Sequence, residues 1–89
     1  MKEDLIAEAE LGDAAKKFKE SELGRVLIGI AHQDAQIALE ALGSADPEDA
    51  KKIRELQNEV KLSNQFEQWL DELIDKGNTA VQIYQQQES

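Results

Sequence analysis

Cysteine is absent from this chain. No disulfide can staple the fold and no thiolate can hold a metal, which fits a reducing compartment. Positive charge is scarce: 10 Lys and Arg stand against 19 Asp and Glu, a formal charge of −9 over 89 residues. Such a chain repels phosphate backbones and anionic membrane surfaces, so direct binding to either is disfavoured. A basic protein partner, or mimicry of nucleic acid, stays open. Long apolar runs are missing too. The longest, VLIGIA (Val26 to Ala31), is far short of the roughly 20 residues of a membrane span. The N-terminal MKEDLIAEAE is acidic and lacks the apolar centre of a secretion signal. The chain is expected to stay in the cytoplasm where it is made.

Histidine and proline occur once each, as His32 and Pro47. A lone histidine excludes a His–His metal pair. On a helix Asp34 points away from it and Gln36 is a weak ligand, so a solvated surface histidine is preferred over a proton shuttle or pH switch. Carboxylates recur one turn apart at Glu67, Asp71 and Asp75, but no convergent second set, Glu-x-x-His pattern or EF-hand loop accompanies them. They read as a solvated acidic face. Ser21, Ser44 and Ser63 have no triad context, and no phosphate-cradling glycine loop is present. The Lys16, Lys17 and Lys19 group is flanked by Asp13, Glu20 and Glu22, which weakens a nucleic-acid reading. No catalytic residue, metal ligand or cofactor site is expected, and an enzyme is disfavoured.

What the chain does have is helix formers. Ala, Leu, Glu, Lys and Gln dominate, and no strand-length alternation occurs, so the whole reads as α-helix. The first segment, residues 2–19, carries Leu5, Ile6, Ala9, Leu11, Ala14, Ala15 and Phe18. Gly12 followed by Asp13 leaves it as one bent helix or two short ones. The second runs over 21–42, with Ser21 as N-cap and Gly43 as a left-handed C-terminal residue. Along it Gly24, Ile28, Ala31, Ala35, Ala38 and Leu42 are spaced 4, 3, 4, 3, 4, a heptad seam of mostly small residues that lets a partner backbone approach. Leu23, Leu27, Ile30 and Ile37 flank it.

The third helix is expected over 47–76. Asp46 would be its N-cap with Pro47 at the first helical position, and Lys76 with Gly77 would stop it. Its apolar register is Ile53, Leu56, Val60, then Ser63 and Glu67, then Leu70 and Ile74, widened by Leu62, Phe66, Trp69 and Leu73. Asn78 and Thr79 would restart a short piece with Ala80, Val81 and Tyr84, and the polar tail 85–89 is expected to fray. The four residues between Leu42 and Pro47 suit an αα-hairpin. Counting outward from the turn sets Ala38 level with Ala50 and Ala31 with Gln57. The third helix then outruns the second, about 45 Å against about 32 Å. Its aromatic end needs cover from the first segment or from another chain. Phe66, Trp69, Leu73 and Tyr84 therefore have two readings: a protein-interaction patch, or the core of a monomeric bundle.

The runs LGRVLIGIAHQDAQIALEAL and DPEDAKKIRELQNEVKLSNQFEQWLDELIDKG resemble a group of small helical proteins encoded in bacteriophages and prophages. The features that carry the resemblance are the LGR start, the DPEDAKKI turn, the ELQNEV step and the WLDELI end, over about 55 residues. Residues 1–20 lie outside it. The resemblance implies an accessory or structural role among virion-assembly proteins, in the cytoplasm of a bacterial host or within the particle, and carries no catalytic residue across.

The expectation is thus a single all-α domain over 1–89, an antiparallel hairpin with an N-terminal helical segment, three-helix bundle-like and completed by oligomerisation. Its expected function is that of a non-enzymatic acidic interaction protein with protein partners, foremost itself. The rival reading is an acidic mimic of nucleic acid that blocks a basic host protein.

Overall fold

The computed structural model describes residues 2–88, with side chains described from 3 to 87. It is all-α and three-helix bundle-like: α1 spans Lys2–Glu20, α2 Glu22–Ser44 and α3 Ala50–Glu88. Helices α1 and α2 each pack against α3. By their packing the residues fall into two compact units. A central unit, Val26–Glu67, joins most of α2 to the first half of α3. A terminal unit joins the chain up to Arg25 with the chain from Gln68.

In the terminal unit α1 is one helix, unbroken at Gly12. Its packing on the C-terminal half of α3 supplies, within the same chain, the cover that this half needs. Gly12 and Gly77 are both buried and face each other. A Cβ on Gly12 would lie 2.8 Å from both Gly77 Cα and the Leu73 carbonyl oxygen, inside the contact distance of any carbon. Ala15 and Ala80, 5% and 1% exposed, continue this small-residue crossing. The expected stop at Lys76–Gly77 is therefore corrected. Gly77 does not end α3; it admits the α1 backbone, and the helix runs on through Val81 and Tyr84 to Glu88. Gln85 to Gln87, placed by the sequence reading in a frayed tail, are helical, as strong helix formers allow.

One residue, Ser21, separates α1 from α2. Its Oγ accepts the Gly24 N–H at 3.0 Å, its carbonyl accepts the Arg25 N–H at 2.9 Å, and its hydroxyl donates to the Phe18 carbonyl. That is an N-cap also tied to the preceding helix. Gly24 sits against the same carbonyl: a Cβ there would fall 1.8 Å from the Phe18 oxygen.

The connection between α2 and α3 differs from expectation in three ways. No glycine has positive φ, so Gly43 is an ordinary helical residue and α2 ends at Ser44, closed by Ala45 N–H donating to the Leu42 carbonyl at 3.3 Å. Asp46 caps no helix. Its carbonyl accepts the Asp49 N–H and its Oδ1 the Glu48 N–H, both at 2.9 Å. That is a β-turn with Pro47 at its second position, where a fixed φ serves as well as at a helix start. The cap is Asp49, whose Oδ1 accepts the Lys52 N–H at 3.1 Å, and α3 begins at Ala50. Both helix ends move, α2 running on to Ser44 and α3 starting only at Ala50, and the pairing moves with them. Ala31 lies near Phe66 and Ile37 near Glu59, about two turns further along α3 than counting from the shorter turn gives.

The central unit is held by Ile28, Ala35, Ala38 and Leu56, 2–8% exposed. Among the described residues no large side chain is fully buried, while twelve large apolar side chains are more than a third exposed. Much apolar surface of the described residues is therefore left in contact with water.

Candidate protein-interaction surface

Two adjoining rows of α2 explain where that surface lies. The inner row holds the seam residues. Gly24, Ile28, Ala35 and Ala38 are buried, and Ala31 and Leu42 half-buried. One residue earlier at each step runs a second heptad row, Leu23, Leu27, Ile30, Asp34 and Ile37. Of these, Leu27, Ile30 and Ile37 are 39%, 50% and 58% exposed. On α3 the inner row Ile53, Leu56, Val60, Ser63 and Glu67 is buried or half-buried, and Leu62 beside it is 57% exposed.

Within the central unit these outer side chains line one continuous face. A groove of about 280 Å³ is formed by Leu27, Ile30, Ala31, Asp34, Leu62, Ser63 and Phe66. A second, of about 360 Å³, adjoins it and shares Asp34, Leu62 and Ser63, adding Ile37 and Glu59. The floor is apolar, and the lining charges are two carboxylates, Asp34 and Glu59. A mostly apolar, elongated depression between two helices is the shape that receives the apolar stripe of another helix.

The four residues proposed from sequence as an aromatic patch fall in different units. Phe66 is half-buried and lines the central groove. Trp69 is 55% exposed and Leu73 half-buried, both in the terminal unit. Tyr84, half-buried, lines a terminal groove of about 360 Å³ with Leu5, Ile6, Ala9, Glu10, Val81 and Gln85. Sequence reasoning ranked the aromatics first and left Leu27, Ile30 and Ile37 as flanks. The signal for the groove was the doubled heptad row of α2.

The carboxylate ladder is also reassigned. Glu67 Oε1 lies 2.7 Å from His32 Nε2 in the central unit, a hydrogen bond in which the ring N–H donates. Asp71 Oδ1 accepts from Lys19 Nζ at 2.6 Å in the terminal unit. Each ties α3 to its neighbour, and Glu67 does so from an inner-row position, which its place between Ser63 and Leu70 in the apolar register signalled. His32 is 56% exposed at its side chain, so the pair is a surface ion pair when charged, of small energetic weight. Asp13 bonds Lys17 at 2.9 Å one turn on, and that hydrogen bond first, then its charge, holds the Lys17 ammonium above its ordinary range. Among the described residues no three acidic or histidine side chains are grouped to hold a metal ion, and no helix is long and apolar enough to cross a membrane.

Searches for a matching protein-family model, a similar curated protein and a similar solved structure each return no match for this chain.

Proposed function

We propose that this chain is a non-enzymatic interaction protein that works through the apolar groove of the central unit. The observation that carries the reading is the exposed row Leu27, Ile30 and Ile37 beside Leu62, set in a groove with few charges. Contiguous exposed apolar surface on a small acidic domain favours a protein partner over a solvated role. The resemblance noted from sequence supports a phage- or prophage-encoded assembly accessory, acting in the bacterial cytoplasm or within the particle. The charge of −9 favours a second reading, mimicry of nucleic acid toward a basic protein; that complex would weaken steeply with salt, whereas one seated in an apolar groove would not.

The test is photo-cross-linking in the cells that make the protein. A photo-reactive side chain in place of Leu62 is expected to form a defined protein adduct, and one in place of the exposed Lys52 is not. Absence of any adduct at Leu62, or equal adducts at both positions, overturns the reading.

A further inference from the structure

We infer that α1 is an exchangeable arm: the corner at Ser21 straightens, and α1 leaves its own α3 to dock in the same way on the α3 of a second copy, each chain lending its arm to the other. The inference concerns the terminal unit and does not use the groove of the central unit. Three observations carry it. The first is the corner itself. Only Ser21 separates two long helices, and a very short connection favours exchange of an element between copies. No proline and no positive-φ residue there stops helix from running straight through. The hydrogen bonds of the corner also have straight-helix equivalents. Ser21 N–H now donates to the Phe18 carbonyl at 3.1 Å and Gly24 N–H to Ser21 Oγ at 3.0 Å. In a continuous helix they would donate to the carbonyls of Lys17 and Glu20, four residues back. Arg25 N–H already bonds the Ser21 carbonyl in that pattern, at 2.9 Å.

The second is Gly24. A Cβ there would fall 1.8 Å from the Phe18 carbonyl oxygen, so the closed corner admits glycine alone. In a continuous helix that carbonyl accepts from Glu22 N–H and no longer meets residue 24. Glycine also weakens a straight helix relative to alanine. One residue thus favours the closed corner twice over, by fitting it and by disfavouring the alternative.

The third is what the arm gives up. Among the described residues the terminal unit buries Gly12, Ala15, Gly24, Gly77 and Ala80, and no larger side chain. Undocking α1 therefore draws no large side chain out of a closed core, which keeps the route to exchange open. On a second copy the same contacts form again, the Lys19–Asp71 pair at 2.6 Å among them. Exchange loses none of them, and the balance rests on the corner and on chain concentration.

The Lys19–Asp71 pair supplies the test. Natural-abundance and ¹⁵N-labelled full-length chains are unfolded together, refolded and treated with a carbodiimide, which activates the Asp71 carboxylate for amide formation with the Lys19 amine. Mass spectrometry then reads whether the linked Lys19 and Asp71 peptides come from one copy or from two. In the closed chain the linked product keeps the 10.0 kDa chain mass; in the exchanged pair it has twice that mass. For the natural chain the two-copy share is expected to rise from little at about ten micromolar to a clear fraction near about 1 mM. Gly24→Ala is expected to pair about a hundredfold more tightly or better. It is also expected to lose helix when dilute and regain it on concentration, as circular dichroism reads. A short Gly-Ser insertion after Ser21 lets the arm close freely and is expected to abolish two-copy links. Links confined to one copy at every concentration, in both the natural chain and Gly24→Ala, overturn the inference. So do a Gly24→Ala chain that stays unfolded when concentrated, two-copy links that the insertion leaves unchanged, or no Lys19–Asp71 link at all. None of these results bears on the cross-linking expected at Leu62, so the groove reading stands or falls separately.

Discussion

The two units use glycine in opposite ways. In the terminal unit Gly12, Gly24 and Gly77 each sit where a Cβ would meet backbone, at 2.8, 1.8 and 2.9 Å. In the central unit Gly29 and Gly43 have nothing within 4 Å of an added Cβ. The terminal unit is thus held by helices brought into backbone contact, the central unit by the side chains of Ile28, Ala35, Ala38 and Leu56, with Leu27, Ile30, Ile37 and Leu62 left exposed. Close backbone contact gains dispersion over many atoms but admits no added atom. The looser arrangement tolerates change in its helices and leaves apolar surface to be covered from elsewhere.

The contrast is most easily broken at Gly24. Gly24→Ala puts a carbon into the Phe18 carbonyl and forces the α1–α2 corner apart; we expect a loss on the order of 3 kcal/mol or more in a denaturant melt. A stability within 1 kcal/mol of the natural chain would show that the corner is not closed as described. Gly12→Ala and Gly77→Ala come next. Each removes a helix-weakening glycine, a gain of about 1 kcal/mol, yet each should destabilise by about 1–3 kcal/mol net through overpacking. Because each new methyl meets the other helix at one point, the double variant should lose less than the sum; strict additivity would deny that the two glycines share a crossing. The smallest effect has the opposite sign. Gly29→Ala, in open space, should raise stability by somewhat under about 1 kcal/mol. A fall there would mean that the space beside Gly29 is filled in solution.

Much of this was legible in the sequence, because burial along a helix is periodic. The 4-3-4-3-4 spacing from Gly24 to Leu42 marks the buried and half-buried positions of α2, and the register from Ile53 to Ile74 marks those of α3. Ser21 was readable as a cap because its role is local. What escaped were residues whose local signature serves two purposes. A lysine–glycine pair looks the same whether the glycine ends a helix or receives a crossing backbone, and only the distant Gly12 decides between them. Asp46 and Asp49 are both good caps, and the turn around Pro47 chose the second. The groove was partly visible as flanking leucines and isoleucines. The two-turn change in pairing hid which residues of α3 would complete it.

The order in which the chain is synthesised bears differently on the two units. Every residue of the central unit is contiguous, whereas the terminal unit is drawn from two stretches with the whole central unit between them. Its Lys19–Asp71 pair spans 52 residues, against 35 for His32–Glu67. On the ribosome α1 therefore exists long before the half of α3 that receives it, and the α2–α3 hairpin can close in the meantime. The abundant charge of α1, with Glu3, Asp4, Glu8 and Glu10 all exposed, keeps a helix without its partner in water until the last third of the protein has been made.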